Sequence, residues 1–380
     1  TVTLSANRGC TATFTAVPPP PAGAALRISA NNGSSYAATS GGVPYSWGSD
    51  ATGTLGNGGA AANVNVATPM GTLTNVRAMG SGLTYGVAAR TDGTVWAWGY
   101  AGSIICVSGG VTNTVPVQIA GATNAVAVSG GGSHTVILRS DGTVQAFGCN
   151  NVGQLGRSGT TPSASAVVVA GLTDIVAVGA GDTYSLALKS DGTVWAWGMG
   201  PLGDGGTGPT TRFTPMAIPG LNNVIAIAAG GQHALALKSD GSVWAWGSNS
   251  NGKLGDGTEV SRWAPVATLL TGQITAISTG AEHSLALRSD GVVLSWGINE
   301  TGQLGSGSSS PGYRPQPQPV VSLSGVVAIV AGGYGLGHSI VLRSDGSLWS
   351  WGYNSSGQLG NGTTGGSSNV PVPVVGLTLN

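Results

Sequence analysis

Alternation of apolar and polar positions dominates the chain, and the stretch from Val224 shows it most clearly. It reads VIAIAAGGQHALALKSDGSVWAWG, with two alternating segments on either side of an Asp-Gly pair. A period of two residues is typical of β-strands, whose successive side chains point to opposite faces. Asp-Gly is typical of a two-residue hairpin, because both central residues of a type I′ turn need a positive φ. The stretch therefore predicts antiparallel strands in which Trp244 and Trp246 share one face.

The same pattern recurs with a period of about 50 residues. The aromatic-Gly pair that follows the Asp-Gly turn occurs seven times, with spacings of 51, 49, 50, 49, 50 and 55 residues, at Trp47, Trp98, Phe147, Trp197, Trp246, Trp296 and Trp351. The position two residues earlier holds Tyr45, Trp96, Gln145, Trp195, Trp244, Leu294 and Trp349. Copies of such regular length indicate one closed array of repeats rather than several unrelated domains.

Each copy holds four short alternating segments and no helical period, which is typical of a propeller blade. We therefore expect an all-β fold, a seven-bladed β-propeller of four-stranded antiparallel blades. The aromatic positions are expected to fill the space between blades, since a buried aromatic side chain removes about 150–250 Å² from water.

The two ends of the repeat array leave the closure of the ring open. The last copy ends in NVPVPVVGLTLN. Because closure removes exposed strand edges, we expect the N- and C-terminal strands to share one blade. If PVPV is instead the outermost strand of the seventh blade, no sharing is needed.

Residues 1–23 do not fit the repeat. They read TVTLSANRGCTATFTAVPPPPAG, which predicts an N-terminal β segment and a proline-rich linker. The predicted propeller covers residues 24–380. The segment is either the end of an upstream domain in a larger surface protein or a part that packs on the rim of the propeller.

Composition excludes some classes of protein. The 14 basic and 14 acidic residues cancel, whereas a nucleic-acid-binding protein needs a basic excess to contact phosphates. No apolar run approaches the roughly 20 residues of a membrane-spanning helix. The chain is rich in Ser, Thr, Gly and Asn but has lysine only at Lys189, Lys238 and Lys253, which favours an extracellular or cell-surface protein.

The repeats resemble those of the regulator of chromosome condensation family. The resemblance rests on phrases such as HALALKSDGSVWAWGSNSNGKLGDGT, ISTGAEHSLALRSD and WGYNSSGQLGNGT, and it covers about 355 residues from near Leu26. It implies a seven-bladed propeller, in agreement with the count of repeats. It also implies protein binding through one propeller face, as in the exchange factor for the small GTPase Ran and in secreted bacterial inhibitors of β-lactamases.

The chain departs from both of these branches. Arg8 is the only cation before Arg27, so the basic N-terminal tail of a chromatin-binding member is missing. The glycine-rich loops carry few aromatic residues, which weakens the comparison with the inhibitors. The chain is therefore most similar to the general bacterial members of secreted or surface type.

Histidine is the strongest candidate for chemistry, because it recurs at one repeat position. His134, His233, His283 and His338 fill this position in four copies, and Tyr36, Tyr85 and Tyr184 are predicted there in the others. Bonds of about 2 Å to one metal ion would require side chains from separate blades to converge. We expect instead a structural histidine that bonds to the backbone of its own blade.

Other catalytic or metal-binding patterns are not found. The recurrent Asp before Gly is interpreted as turn chemistry. SNSNGKLGDG lacks the bidentate glutamate of a calcium loop, and the GQLG loops lack the Lys-Ser/Thr pair of a phosphate loop. We expect no catalytic residues, no cofactor, no metal and no enzymatic activity.

Two of the three cysteines follow the third strands of neighbouring copies. Cys106 lies where the second copy breaks the GQLG pattern, and Cys149 lies in the third copy. A disulfide between them is possible in an oxidising compartment, and the alternative is two unpaired thiols. Cys10 has no evident partner.

Strand alternation places two sets of loops on one face, where the copies differ most from each other. Loops on a rigid scaffold commonly carry function. The candidate contacts for a protein partner on this face are Leu83, Tyr100, Ile104, Ile105, Asn150, Asp182, Met199, Leu202, Gln232, Glu282, Asn299, Glu300, Tyr334, Leu336 and Tyr353.

The leading hypothesis is a protein-binding or surface-structural propeller of an exported bacterial protein. The first alternative is a guanine-nucleotide exchange factor for a small GTPase. The second is a glycan-binding module, for which Trp263 is the candidate because it lies outside both repeated aromatic positions.

Overall fold

The computed structural model describes residues 27–59, 62–106, 111–333 and 336–379. These residues form seven four-stranded antiparallel sheets, and each sheet consists of four strands that are consecutive in the chain. Almost no helix accompanies them. We number the sheets as blades 1 to 7 in chain order. The predicted all-β, seven-bladed propeller is confirmed, whereas the predicted segment 1–23 and Cys10 lie outside the described residues.

The blades have the following strands. Blades 1 to 4 comprise β1 (Ile28–Ala30), β2 (Ser34–Ala38), β3 (Pro44–Gly48), β4 (Val64–Pro69); β5 (Val76–Ser81), β6 (Tyr85–Arg90), β7 (Val95–Tyr100), β8 (Thr112–Gln118); β9 (Ala125–Gly130), β10 (His134–Arg139), β11 (Val144–Gly148), β12 (Ser163–Val168); β13 (Ile175–Ala180), β14 (Tyr184–Lys189), β15 (Val194–Gly200) and β16 (Thr210–Ala217).

Blades 5 to 7 comprise β17 (Val224–Ala229), β18 (His233–Lys238), β19 (Val243–Gly247), β20 (Arg262–Ala267); β21 (Ile274–Thr279), β22 (His283–Arg288), β23 (Val293–Ile298), β24 (Tyr313–Pro319); β25 (Val326–Gly332), β26 (His338–Arg343), β27 (Ser347–Tyr353) and β28 (Ser367–Thr378). A four-residue helix, α1 (Ala101–Ile104), follows β7, and a short 3₁₀ turn lies at Ser250–Gly252. No helix among the described residues is long and apolar enough to cross a membrane.

The expectation that the chain termini share a blade is wrong. The N-terminal copy supplies all four of its own strands, with only three residues in β1, so no place is left for a C-terminal strand. The PVPV segment lies in β28, the outermost strand of blade 7. Blade 7 instead packs against blade 1, and the ring is closed by side-chain contacts rather than by a shared sheet.

The two faces of the ring follow from the strand order. The inner loops join the first and second strands of each blade, and the outer loops join the third and fourth. Both sets lie on one face, which we call the loop face. The turns between the second and third strands lie on the opposite side, the hairpin face. The Asp-Gly turns form the predicted hairpins, but the predicted two-residue type I′ geometry is wrong. Glycines such as Gly192 (φ 82°) and Gly241 (φ 84°) are left-handed, whereas Asp191 and Asp240 before them do not have a positive φ. Lys189 N–H donates to the Thr193 carbonyl, so the loop has three residues rather than two.

The core lies between blades. The paired aromatic residues of one third strand pack together against the preceding blade, as Trp195 and Trp197 do in blade 4 and Trp244 and Trp246 do in blade 5. The second aromatic of each pair is fully buried, and the first is partly exposed in most blades. The predicted common face of the two tryptophans is therefore confirmed.

The outermost strands carry proline at one recurrent position. Five of the seven blades have proline immediately before the residue that pairs with the central Ala or Ser of the third strand, at Pro116, Pro215, Pro265, Pro317 and Pro371. Proline is tolerated in an edge strand where its missing N–H would face outward. Blade 3 has Ala166 there, and its N–H donates to the Ala120 carbonyl of blade 2 at 2.9 Å.

Candidate functional site

The loop face is held by one hydrogen bond that recurs between blades. The indole N–H of the second aromatic residue donates to a carbonyl in the outer loop of the preceding blade. The pairs are Trp47 with Gln358 at 3.0 Å, Trp98 with Thr54 at 2.8 Å, Trp197 with Gln154 at 2.9 Å, Trp246 with Pro201 at 2.8 Å, Trp296 with Lys253 at 2.9 Å and Trp351 with Gln303 at 2.8 Å. Each outer loop so bonded is thereby fixed to its neighbouring blade.

Histidine adds a second contact at four of these interfaces. The Nε2 atom of each histidine lies beside a serine hydroxyl of the next blade, rather than the backbone of its own blade as predicted. The pairs are His134 with Ser185 at 2.9 Å, His233 with Ser284 at 2.8 Å, His283 with Ser339 at 2.9 Å and His338 with Ser35 at 2.7 Å. The last pair joins blade 7 to blade 1.

The serine geometry fixes the protonation of these histidines. Ser185 Oγ donates to the Gln154 carbonyl at 3.0 Å, so it accepts a hydrogen bond from Nε2–H of His134. Its Nδ1 is buried without a hydrogen-bond partner, so a proton there would be unsolvated and the ring is neutral at neutral pH. Burial lowers the pKa of His134 to about 4. The same cause lowers the pKa of His283 to about 4 and that of His338 to about 3. These are structural groups at separate interfaces, and no three His, Cys, Asp or Glu side chains converge as metal ligands in the described parts of the chain.

Tyrosine takes a different partner at the same repeat position. Tyr184 OH donates to the His233 carbonyl of the next blade at 2.7 Å, and Tyr85 OH bonds to the His134 carbonyl in the same way. The predicted alignment of Tyr36 is wrong: the strand register pairs Ser34, not Tyr36, with Gly48, as His134 pairs with Gly148. In blade 1 the first strand is short and its turn is Gly-Gly, so the repeat phrase gave no clear register.

The interface between blades 2 and 3 lacks the indole bond. Phe147 has no N–H to donate, and the outer loop of blade 2 begins with α1. Ile104 and the partly buried Ile105 pack in the same cluster as Phe147. Cys106 and Cys149 form a disulfide across this interface. The covalent bond thus lies where the tryptophan hydrogen bond is missing.

Four of the predicted contact residues are buried and face the interior of the loops. Asn150 and Asn299 organise their own outer loops: Asn150 Oδ1 accepts from the Leu155 N–H at 3.0 Å, and its Nδ2 donates to the Gly159 carbonyl at 2.8 Å. Leu202 and Ile104 pack in the cores between blades. Their variation between copies reflects packing of the loops, so they are not available to a partner.

The remaining predicted residues are spread around the loop face. Gln232, Glu300, Met199 and Leu336 are exposed, Tyr334 lies outside the described residues, and the partly exposed members are Leu83, Tyr100, Ile105, Asp182, Glu282 and Tyr353. The inner loops surround a central cavity of about 90 Å³, lined mainly by glycine and alanine such as Gly130 and Ala180. Its walls offer few functional groups, and Leu83 is the one candidate contact that lines it.

Three charged side chains from blades 4, 5 and 6 lie near one another on this face: Asp182, Lys253 and Glu282. Lys253 is only 1% exposed and pairs with Glu282, Nζ to Oε2, at 2.7 Å. Asp182 lies near both, and its Oδ1 is buried without a hydrogen-bond partner. Burial, and then the charge of Glu282, raise the pKa of Asp182 to about 6, while Lys253 opposes the shift. One feature of the sequence could have marked Lys253 as a candidate: it replaces Gln in the GQLG phrase of the repeats.

An apolar cavity of about 110 Å³ lies between blades 4 and 5. It is lined by Thr183, Met199, Gly200, Pro201, Pro209, Gly231, Gln232 and Trp263. Pro201 is fixed by the Trp246 indole, and Gly205 N–H donates to the Trp263 carbonyl at 3.1 Å. Backbone contacts between the two blades therefore support the walls of this cavity.

Comparison with known proteins agrees with this architecture. The sequence profile of the RCC1-like domain matches residues 105–379. The structure is similar to Prp20p from Saccharomyces cerevisiae at 22% identity, with a TM-score of 0.75 over 86% of this chain and 84% of that chain. It is also similar to human WBSCR16 at 22% identity, with a TM-score of 0.76 over 87% of this chain and 92% of that chain. These structural likenesses support the propeller fold.

Proposed function

Because the chain belongs to the RCC1-like domain family, we propose that it is a non-enzymatic propeller that binds a protein partner through its loop face. The observation that carries the proposal is the contrast between the two faces. The hairpin face mostly repeats one Asp-Gly turn, whereas the loop face presents different side chains on loops that are bonded to neighbouring blades. A rigid scaffold with variable loops is typical of a recognition surface.

The proposed location is extracellular or on the cell surface. The Cys106–Cys149 disulfide supports it, because disulfides persist in oxidising compartments and are rare in the cytosol. The bacterial origin predicted from the repeats stays a prediction. Alkylation of the protein from its source without reductant is expected to leave both cysteines unmodified, and labelling of both would contradict the proposed location.

Site-specific photo-cross-linking tests the proposed face. A photoreactive amino acid replaces Leu336 on the loop face, which is 40% exposed, or Val43 on the hairpin face, which is 43% exposed. Matched exposure makes the two positions comparable. We expect cross-linked partner from the loop-face position and little or none from the hairpin-face position. Equal yields from both faces, or yield from Val43 alone, would overturn the proposal.

Guanine-nucleotide exchange is the second candidate. Prp20p, which has the same fold, is described as binding Gsp1p and histones. At 22% identity this likeness concerns the fold. The segment Pro311–Pro319, which the extra length between the last two repeats suggested as an insertion, mostly forms the regular strand β24 and carries one charge, Arg314. Acceleration of nucleotide release from a small GTPase by this protein would favour exchange over simple binding.

A further inference from the structure

The cavity beside Trp263 continues towards the axis as a groove between blades 4 and 5. Its outer end is formed by Trp263 and Pro209, its middle by Met199 and Pro201, and its inner end by inner-loop residues including Gly231. Met199 is 38% exposed and Trp263 is partly exposed. Large apolar side chains at an open site remain in water until something covers them, and covering them is favourable by about 25 cal/mol per Å².

Few polar groups line this groove. The Thr183 hydroxyl already donates to the Met199 carbonyl at 2.7 Å, and the exposed Gln232 amide lies at the rim. A sugar would bring many hydroxyls that need hydrogen-bond partners, since an unpaired buried polar group is costly. The lining therefore favours an apolar side chain over a glycan.

The inner end of the groove leads to a negative charge. Asp182 immediately precedes Thr183, and its N–H donates to the carbonyl of Gly231 at 3.1 Å. Its Oδ1 has no hydrogen-bond partner. The nearby ammonium of Lys253 forms its ion pair with Glu282, and no ion pair of Asp182 is found in the described parts of the chain. This end of the groove therefore presents the Asp182 carboxylate without a cationic partner of its own among the described residues.

We propose that the groove between blades 4 and 5 binds an extended segment of the partner protein, with an apolar side chain against Trp263 and a Lys or Arg beside it that pairs with Asp182. This inference rests on the proposed function of the loop face and specifies the chemistry of its partner. Asp182 is partly exposed beside the inner end of the groove, so a guanidinium or ammonium of the segment would form an ion pair with its carboxylate. The cavity would select the neighbouring side chain by size and polarity.

A library of random ten-residue peptides displayed on phage, selected on the intact protein, tests the proposal. We expect enriched peptides that carry Lys or Arg within about three positions of a large apolar residue, as the extended groove requires. For a synthetic peptide from the selection, the Kd is expected to rise at least tenfold on Asp182→Asn and on Trp263→Ala. Replacing the basic residue of the peptide by Gln should have the same effect as Asp182→Asn, and combining the two changes should add little.

Matched controls separate the possible outcomes. Trp263→Phe, which keeps an apolar ring, should retain most of the affinity, and Asp174→Asn, at an exposed carboxylate on the hairpin face, should leave it unchanged. Peptides whose binding ignores Asp182 and Trp263, or the absence of basic-apolar peptides after selection, would overturn this inference. Retention of a glycan on an array that is lost on Trp263→Ala would replace it by carbohydrate binding. Loop-face cross-linking at Leu336 would survive each of these results, so failure here is distinct from failure of the proposed function.

Discussion

The interface between blades 2 and 3 and the interface between blades 6 and 7 join their blades by different chemistry. At the second, His283 bonds to Ser339, and the Gln303 carbonyl accepts both the Ser339 hydroxyl and the Trp351 indole. At the first, Tyr85 bonds to the backbone of blade 3, Phe147 donates no hydrogen bond, and a disulfide joins the loops. One arrangement depends on a neutral imidazole and the other on an oxidised cysteine pair.

The comparison shows a rule that holds around the ring. Where histidine occupies the repeat position, the next blade has serine one residue after its own equivalent position, at Ser35, Ser185, Ser284 and Ser339. Where Ser34, Tyr85 and Tyr184 occupy it, the next blade has Gly86, Thr135 and Ala234. What recurs around the ring is therefore a matched pair of residues on two adjacent blades, rather than a residue type within a single repeat.

Acid is expected to produce the largest effect and to separate the two kinds of interface. Because burial lowers the pKa of His134 and His283 to about 4, the unfolded state takes up protons below about pH 6.5 while the folded state does not. The histidine interfaces are therefore fully stable above pH 6.5 and lose stability as the pH falls towards 4, by about 1.4 kcal/mol per pH unit for each histidine. Urea unfolding from pH 7 to pH 4.5 measures this loss.

A histidine variant isolates this contribution. Gln at position 283 can still donate to Ser339 but does not titrate, so His283→Gln should reduce the pH slope of the free energy of unfolding by about 1.4 kcal/mol per pH unit. An unchanged slope would show that acid sensitivity has another origin. The amides at the interface between blades 2 and 3, which lacks such a pair, should keep their hydrogen-exchange protection to lower pH than those at the histidine interfaces.

Loss of the disulfide is expected to have the next largest effect, at the other kind of interface. It closes a loop with a sequence separation of 43 residues, for which chain entropy gives a stabilisation of about 4 kcal/mol. Combined Cys106→Ser and Cys149→Ser, or reduction of the native protein, should lower the free energy of unfolding by roughly that amount. Cys10→Ser is the control and should respond to reductant as the native chain does. Equal stability with and without reductant would contradict the account of this interface.

A smaller effect is expected from removing an indole N–H, and it should depend on the neighbouring serine. Trp246→Phe leaves the buried Pro201 carbonyl without its donor, since Ala234 replaces the serine there. Trp296→Phe leaves the Lys253 carbonyl bonded to Ser284 at 3.0 Å. The first substitution should therefore cost about 1–2 kcal/mol more than the second. Denaturant midpoints of the two variants measure the difference. Equal costs would show that the second donor, Ser284, does not compensate for loss of the indole N–H.

Much of the fold could be predicted because the hydrophobic pattern repeats. The Trp-Gly spacing gives the number of blades, and alternation around Trp244 and Trp246 gives the buried face. Two errors came from blade 1, whose short β1 and Gly-Gly turn depart from the repeat phrase: the placement of Tyr36 and the shared terminal blade. Local propensity does not specify register when the landmarks are missing.

The site was less predictable, because its contacts join residues about 50 positions apart in the chain. Periodicity places a side chain on a face but does not say what it meets on the next blade. The serine partners of the histidines are visible in the sequence only as a correlation between successive copies. Variation between loops also misled the prediction at Asn150 and Leu202, which are buried. The Trp263 cavity needs the backbone of two blades and could not be derived from one repeat.

The prolines of the outer strands protect the protein from aggregation, against which its low charge gives little protection. Charged residues make up 7% of the chain and its formal net charge is zero, so electrostatic repulsion gives little protection against association. Seven blades also present seven strand edges at the rim, each a potential template for another chain. Prolines such as Pro215 and Pro265 remove donors from these edges, and blade 3 uses its corresponding donor within the ring. Six of the seven outer strands are thus protected from pairing at this position by backbone chemistry, which depends on neither pH nor salt concentration, whereas blade 1 has Ala67 there.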